Sequence, residues 1–150
     1  MVRNNLKIGD SVAAILVYGN RGRYVLQLRD NKQSIFHPGA WGCFGGAIEP
    51  GETAEQALER ELMEELEFTL KSYKKFVELS FLIAKKGLRK VTRTYFEVVL
   101  NPSHFKKLKL HEGQAIDIIK GSDLLTQLPS IPLDTFAIWS HMNSDRLVDK

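Results

Sequence analysis

The order of apolar runs predicts a mixed α/β (α+β) sheet with helices on its faces. Three observations point to it: strand-like runs stand both before and after a single acidic helix, residues 12–17 are apolar throughout, and two helical stretches lie near the end of the chain.

Residues 12–17 read as a buried strand. Residues 23–29, Arg-Tyr-Val-Leu-Gln-Leu-Arg, alternate enough for a second strand, joined to the first through Gly19-Asn20-Arg21-Gly22. Residues 30–40 are polar, contain Pro38-Gly39 and read as a loop, and residues 41–48 as a short strand ending in a glycine-rich turn. Thr53 is the candidate N-cap of the acidic helix, with Gly51 or Glu52 as alternative starting points. From Ala54 to about Leu66 the residues are good helix formers. Residues 76–84 and 89–100 are two further strands, expected to form a hairpin through Lys85-Lys86-Gly87-Leu88. A basic loop of weak helical tendency follows at 101–113, then a last strand at 115–119. Ser122 is a candidate cap for a short helix through Leu128, and Pro132 suits the first turn of a helix to about His141.

The chain has 150 residues, 43% hydrophobic and 26% charged, which suits one domain spanning 1–150 with a proper core. Its longest apolar run, residues 12–18, is far too short to cross a bilayer, and residues 1–10 lack a secretory apolar segment. Cys43 is the single cysteine, so no intrachain disulfide can form. The expected location is the cytoplasm, with no membrane partner. Residues 49–70 carry eight glutamates and one arginine, a charge of −7, so the other 128 residues sum to +10 within a total of +3. An acidic strip in a basic surround suits a metal site that attracts an anionic substrate. The basic residues are spread in short clusters without a nucleic-acid motif, so no nucleic-acid partner is expected.

At about 100° per residue, Ala54, Leu58, Leu62 and Leu66 make one apolar stripe, and Glu61, Glu64 and Glu65 a second beside it. Glu65 falls at the border. Carboxylates at the edge of a buried face are partly desolvated, which makes an unpaired cluster costly and a metal-bound one favourable. A merely solvated acidic face would interleave lysine for i,i+4 support, and no lysine lies between Glu49 and Leu70. Hard divalent ions prefer such oxygen ligands. Arg60 can pair with a neighbouring glutamate and hold its rotamer.

The spacing Gly46-x5-Glu52-x7-Arg60-Glu61-Leu62-x-Glu64-Glu65-x-Glu67-Phe68 resembles the box of the Nudix hydrolase (MutT-like) family. Six such identities coincide by chance on the order of once in ten million start positions, so the resemblance is specific. It covers residues 46–68, and residues 41–46 look like the strand leading into the box. One position departs: Glu67 stands where the family has glycine, so the helix is expected to run on into Phe68 or Thr69.

The resemblance implies the Nudix fold, a mixed β-sheet sandwiched between α-helices. It implies a Mg²⁺-dependent (or Mn²⁺-dependent) pyrophosphohydrolase that cleaves a nucleoside diphosphate linked to another group, such as a nucleotide sugar. Glu61, Glu64, Glu65 and the Gly46 carbonyl look like metal ligands, with Glu52 and Arg60 as supporting groups. The general base can lie outside the box. Glu112, in the loop His111-Glu112-Gly113, is the first candidate; His111 and His37 are weaker ones. Arg23, Arg29 and Arg93 are candidate phosphate binders, and Phe36, Trp41 and Tyr95 candidate stacking groups with core packing as their default. Two alternatives stand beside this function: a nucleoside triphosphate pyrophosphatase and a non-catalytic nucleotide sensor. The group attached to the diphosphate and the oligomeric state, a homodimer included, are not readable from the sequence.

Overall fold

The computed structural model describes residues 9–83 and 88–147. Seven strands form one mixed sheet: β1 (Ser11–Tyr18), β2 (Arg23–Leu28), β3 (Trp41–Gly42), β4 (Phe44–Ala47), β5 (Lys74–Ile83), β6 (Arg89–Leu100) and β7 (Ala115–Lys120). The helices are α1 (Ala54–Leu66), α2 (Pro102–Lys107), α3 (Gly121–Thr126) and α4 (Pro132–Met142). The proposed turn at Lys85-Lys86-Gly87 lies outside the described residues.

The central strand is β1, parallel to β6 along its whole length. On its other flank it has two neighbours. Its C-terminal half pairs with β2 and its N-terminal half with β4, both antiparallel. The strand expected over 41–48 is therefore two strands. Its first part pairs with β2, Cys43 interrupts it, and its second part pairs with β1, so the segment fills the fork where β1 and β2 part. β7 closes the far side of β2, and β5 lies at the opposite edge against β6.

The apolar run of β1 feeds two cores. Val12, Ala14 and Leu16 pack with Leu58, Leu62 and Leu66 of α1 and Phe96, Val98 and Leu100 of β6. Ala13, Ile15 and Val17 face the other way, onto Tyr24, Tyr95, Leu124, Ala137 and Ile138. Fully burying each such leucine or isoleucine contributes about 1.5–3 kcal/mol. Among the described residues no helix is long and apolar enough to cross a membrane.

Thr53 caps α1 as expected, and does so in a capping box: its side chain accepts from Gln56 N, and the Gln56 side chain accepts from Thr53 N. The other end of α1 departs from expectation. The helix stops at Leu66, and Glu67 itself adopts the left-handed conformation (φ 52°, ψ 33°) that a glycine would take there. Its N–H bonds the Met63 carbonyl and Phe68 N bonds the Leu62 carbonyl, so the C-terminal carbonyls are satisfied without glycine. Ser122 does not cap α3. It is the helix's second residue, the N-cap is Lys120, and the helix ends at Thr126. The weakly helical 101–113 segment forms α2, capped by Asn101 with Pro102 in the first turn.

Candidate active site

The acidic face of α1 lies against β4 and the loop that precedes β7. Arg60 organises its N-terminal half. The guanidinium grips Glu52 with two bonds, Nε to Oε1 at 2.7 Å and a terminal nitrogen to Oε2 at 3.0 Å. The same group donates to Glu61 Oε1 at 2.8 Å and to the Ala47 carbonyl at 3.0 Å. This fork holds the Glu52 carboxyl down at about 2, and Glu49 N adds a bond to Glu52 Oε2. Arg60 thus ties the turn before the helix, the end of β4 and Glu61 into one unit.

Glu61 lies directly against Gly46. A Cβ on Gly46 would collide with the Glu61 carboxylate, so any other residue there would displace it. Gly45 is equally constrained: its φ is +145°, and a Cβ would strike the Val12 carbonyl oxygen. This close approach lets Gly45 N donate to Glu65 Oε2 at 3.0 Å. Gly45 stood outside the box spacing, although a double glycine in a strand is itself a sign of close backbone approach.

Glu65 is 4% exposed and has no side-chain cation within ion-pair distance among the described residues. Burial first, and then the charges of Glu61 and Glu112, push its carboxyl up to about 9. Burial likewise raises Glu61, against the pull of Arg60, with Glu64 and Glu112 adding to the rise. Glu64 is the outermost of the three, its side chain 60% exposed and its Oε2 at 3.5 Å from Arg60. Among the described residues, no three His, Cys, Asp or Glu side chains already converge as a metal cage.

The loop that carries Glu112 is pinned on both sides of it. Lys109 N bonds the Leu66 carbonyl at 3.0 Å and His111 N the Glu65 carbonyl at 2.9 Å, at the C-terminus of α1. Gln114 N bonds the Leu28 carbonyl, and Gln114 Nε2 the Arg29 carbonyl, both at 2.8 Å, at the end of β2. The Glu112 charge is therefore felt by both Glu61 and Glu65.

Of the three arginines outside the box, Arg29 lies close enough to lower Glu65 by its charge, and its Nε donates to the Phe36 carbonyl at 2.9 Å. Arg23 is at the far end of β2, exposed over the Tyr18 ring. Arg93 is on the opposite face of the sheet, where Asp134, Tyr95 and Ser11 take up its guanidinium. Tyr95 is buried there with it, Trp41 is half-buried against that core, and Phe36 is exposed. His37 lies in the loop before β3, and His111 meets Glu67 at 2.8 Å. Cys43 is a buried free thiol.

The NUDIX domain model matches residues 7–113 of this chain, well over half of it. The chain belongs to the Nudix hydrolase family. Nucleoside triphosphatase NudI of Enterobacter sp. (strain 638) is 49% identical over 47 residues, 31% of this chain and 33% of that protein. The match thus spans about a third of the length of these curated relatives. The E. coli dihydroneopterin triphosphate pyrophosphohydrolase superposes with a TM-score of 0.72 at 20% identity, covering 92% of this chain and 99% of that one. The NUDIX domain of Shewanella oneidensis NrtR, solved with ADP ribose, gives 0.68 at 18% identity, covering 99% of this chain and 94% of that one. At these identities the structural matches bear on the fold, which is the Nudix fold expected from the box. β7, α3 and α4, beyond residue 113, complete the same sheet and its second core.

The site's donor set fits a divalent cation. It consists of carboxylates, two of them raised by burial and mutual repulsion, and a hard cation removes both penalties at once. Nudix hydrolases in general use such metals.

Proposed function

We propose that this protein is a Mg²⁺- or Mn²⁺-dependent pyrophosphohydrolase that cleaves a nucleoside diphosphate linked to a further group. The observation that carries the reading is Glu65: a buried carboxyl beside two other acids, with no side-chain cation at ion-pair distance among the described residues. A structural acid would be paired. Glu61, Glu64, Glu65 and the Gly46 carbonyl would hold the metal. When bound, the ion neutralises the diphosphate and lowers the pKa of attacking water.

The remaining work falls to the chain's own groups. Arg60, clamped on Glu52 and Ala47, fixes the Glu61 carboxylate in one orientation. Gly45 N holds Glu65 in place. Glu112 is the general base: it sits in the loop facing Glu61 and Glu65, where it takes the proton of the water that attacks phosphorus. Arg29 is the phosphate-binding arginine on this face, with exposed Phe36 next to it as a stacking surface for the base. Glu112→Gln is expected to lower kcat by on the order of 10²–10⁴-fold with the fold intact.

A second reading, a nucleoside triphosphate pyrophosphatase, is favoured by the 49% identity to NudI over 47 residues. A panel of nucleoside triphosphates, ADP-ribose and UDP-glucose, assayed with Mg²⁺, separates them. Inorganic pyrophosphate released from a triphosphate identifies the second reading, and two phosphomonoesters from a diphosphate the first. A folded protein that turns over no member of the panel overturns both.

A further inference from the structure

Glu67 occupies an unusual position in the described structure. Only Glu67 and His37 are non-glycine residues with positive φ there, and glycine adopts that conformation far more readily. The strained residue ends the helix that carries the acidic cluster. Its side chain is also engaged: Lys109 Nζ lies 2.8 Å from Oε2, and His111 Nε2 lies 2.8 Å from Oε1. Both partners come from the loop that leads directly into Glu112.

We infer that Glu67 is a positioning residue whose carboxylate clasps Lys109 and His111 and so holds Glu112 over Glu61 and Glu65; this rests on the reading of Glu112 as the general base. The two backbone bonds from Lys109 and His111 to the end of α1 fix the height of the loop against the helix. Both lie on the same side of Glu112, and Gln114 holds the other side at the end of β2. The Glu67 carboxylate adds two side-chain anchor points, one on each of the same two residues. On the other side of Glu112, Gly113 (φ +89°) packs so tightly on the Leu28 carbonyl that a Cβ would meet it at 2.8 Å. Glu112 is therefore the midpoint of a short span fastened to α1 at one end and β2 at the other. Loosening the α1 end displaces the base without touching any metal ligand.

A glycine at 67 separates clasp from cap. If Glu67 only ends the helix, Glu67→Gly relieves the backbone and raises Tm while kcat stays at the wild-type value. The clasp predicts opposite signs: Tm unchanged or raised, but kcat lowered on the order of tenfold with KM within about twofold, because a small misplacement of a reacting group is costly. Glu67→Gln, which keeps the length and part of the bonding, should recover some of the loss. The Lys109→Met/His111→Phe double variant removes the clasp from the loop side, leaving the helix backbone alone, and should give the same fall. The deciding measurement is a double-mutant cycle on the panel substrate that turns over fastest. Glu67→Gly combined with Glu112→Gln should be no slower than Glu112→Gln alone. Wild-type kcat in Glu67→Gly and in the double variant, with Glu112→Gln crippled, overturns the clasp and leaves the base assignment standing. Wild-type kcat in Glu112→Gln overturns the base assignment and the clasp together.

Discussion

Glu65 and Asp134 are both buried carboxylates, on opposite faces of the same sheet, and they are treated in opposite ways. Asp134, fully buried, receives Cys43 N on Oδ2 at 2.9 Å and both the Tyr95 hydroxyl and Arg93 Nε on Oδ1 at 2.7 and 3.1 Å. Beside it, His141 bridges the Tyr24 hydroxyl and Glu97. Among the described residues, every buried side-chain polar atom on that face has a hydrogen-bond partner. Glu65 receives one backbone N–H, and the charges of Glu61 and Glu112 outweigh that of Arg29 around it. The difference separates a carboxylate that serves the fold from one that is kept short of a counter-charge. The first ties the Cys43 break between β3 and β4 to β6 and α4, and the second makes no such tie.

The comparison can be broken most directly at the unpaired acid. Glu64→Gln and Glu65→Gln are each expected to lower turnover by on the order of 10³-fold. For Glu65→Gln, urea denaturation of metal-free protein at pH 8 should at the same time show a gain on the order of 2–4 kcal/mol. A loss of stability there would mean that Glu65 is a structural acid after all. The paired acid should behave in the reverse sense: Asp134→Ala strands Arg93 and is expected to cost about 3–5 kcal/mol, while kcat of the folded fraction changes far less than in Glu65→Gln.

Proton linkage sharpens the contrast. The Glu65 carboxyl is raised from 4.5 to about 9, so folding takes up a proton between those values, and metal-free stability falls as pH rises through that window. With Glu65 in the proposed ligand set, a divalent cation would replace that proton. Mg²⁺ should therefore raise Tm more at pH 8 than at pH 5, and calorimetry should record proton release on binding at neutral pH. Equal Mg²⁺ shifts at both pH values would remove Glu65 from the ligand set. The smallest expected effect lies at the helix start, where Thr53→Ala should cost about 1 kcal/mol through the lost capping box, with kcat unchanged.

Much of this was legible in the sequence because it is local. The uninterrupted apolar run at 12–17, the good helix formers after Thr53 and the strand over 89–100 each signal their element within a few residues. The helical spacing puts Glu65 at the border of the apolar stripe, and it is the buried one, whereas Glu64, expected at the same edge, is largely exposed. Ala57 is fully buried, whereas Ala54, in the first turn, is half-buried against the same core. What stayed hidden depends on partners far along the chain. Nothing near Arg93 announces that Asp134 will hold it, and the break at Cys43 follows from the parting of β1 and β2, which no single strand encodes. The end of α1 is the clearest instance. The local rule asks for glycine at 67, whereas Lys109 and His111 accompany glutamate there from more than 40 positions away.

The β5–β6 ribbon outruns the rest of the sheet. β1 begins opposite Arg93, so among the described residues β5 is the one strand paired with residues 89–92 of β6; the Ser80 and Thr92 hydroxyls bridge the two at 2.8 Å, and Thr92 N donates to Asp10 Oδ1 at 2.9 Å. A protein built this way has a built-in hierarchy of lifetimes. Amides in the overhang should exchange with deuterium through small local openings, whereas those in the middle of β1, flanked on both sides, should wait for the whole molecule to come apart.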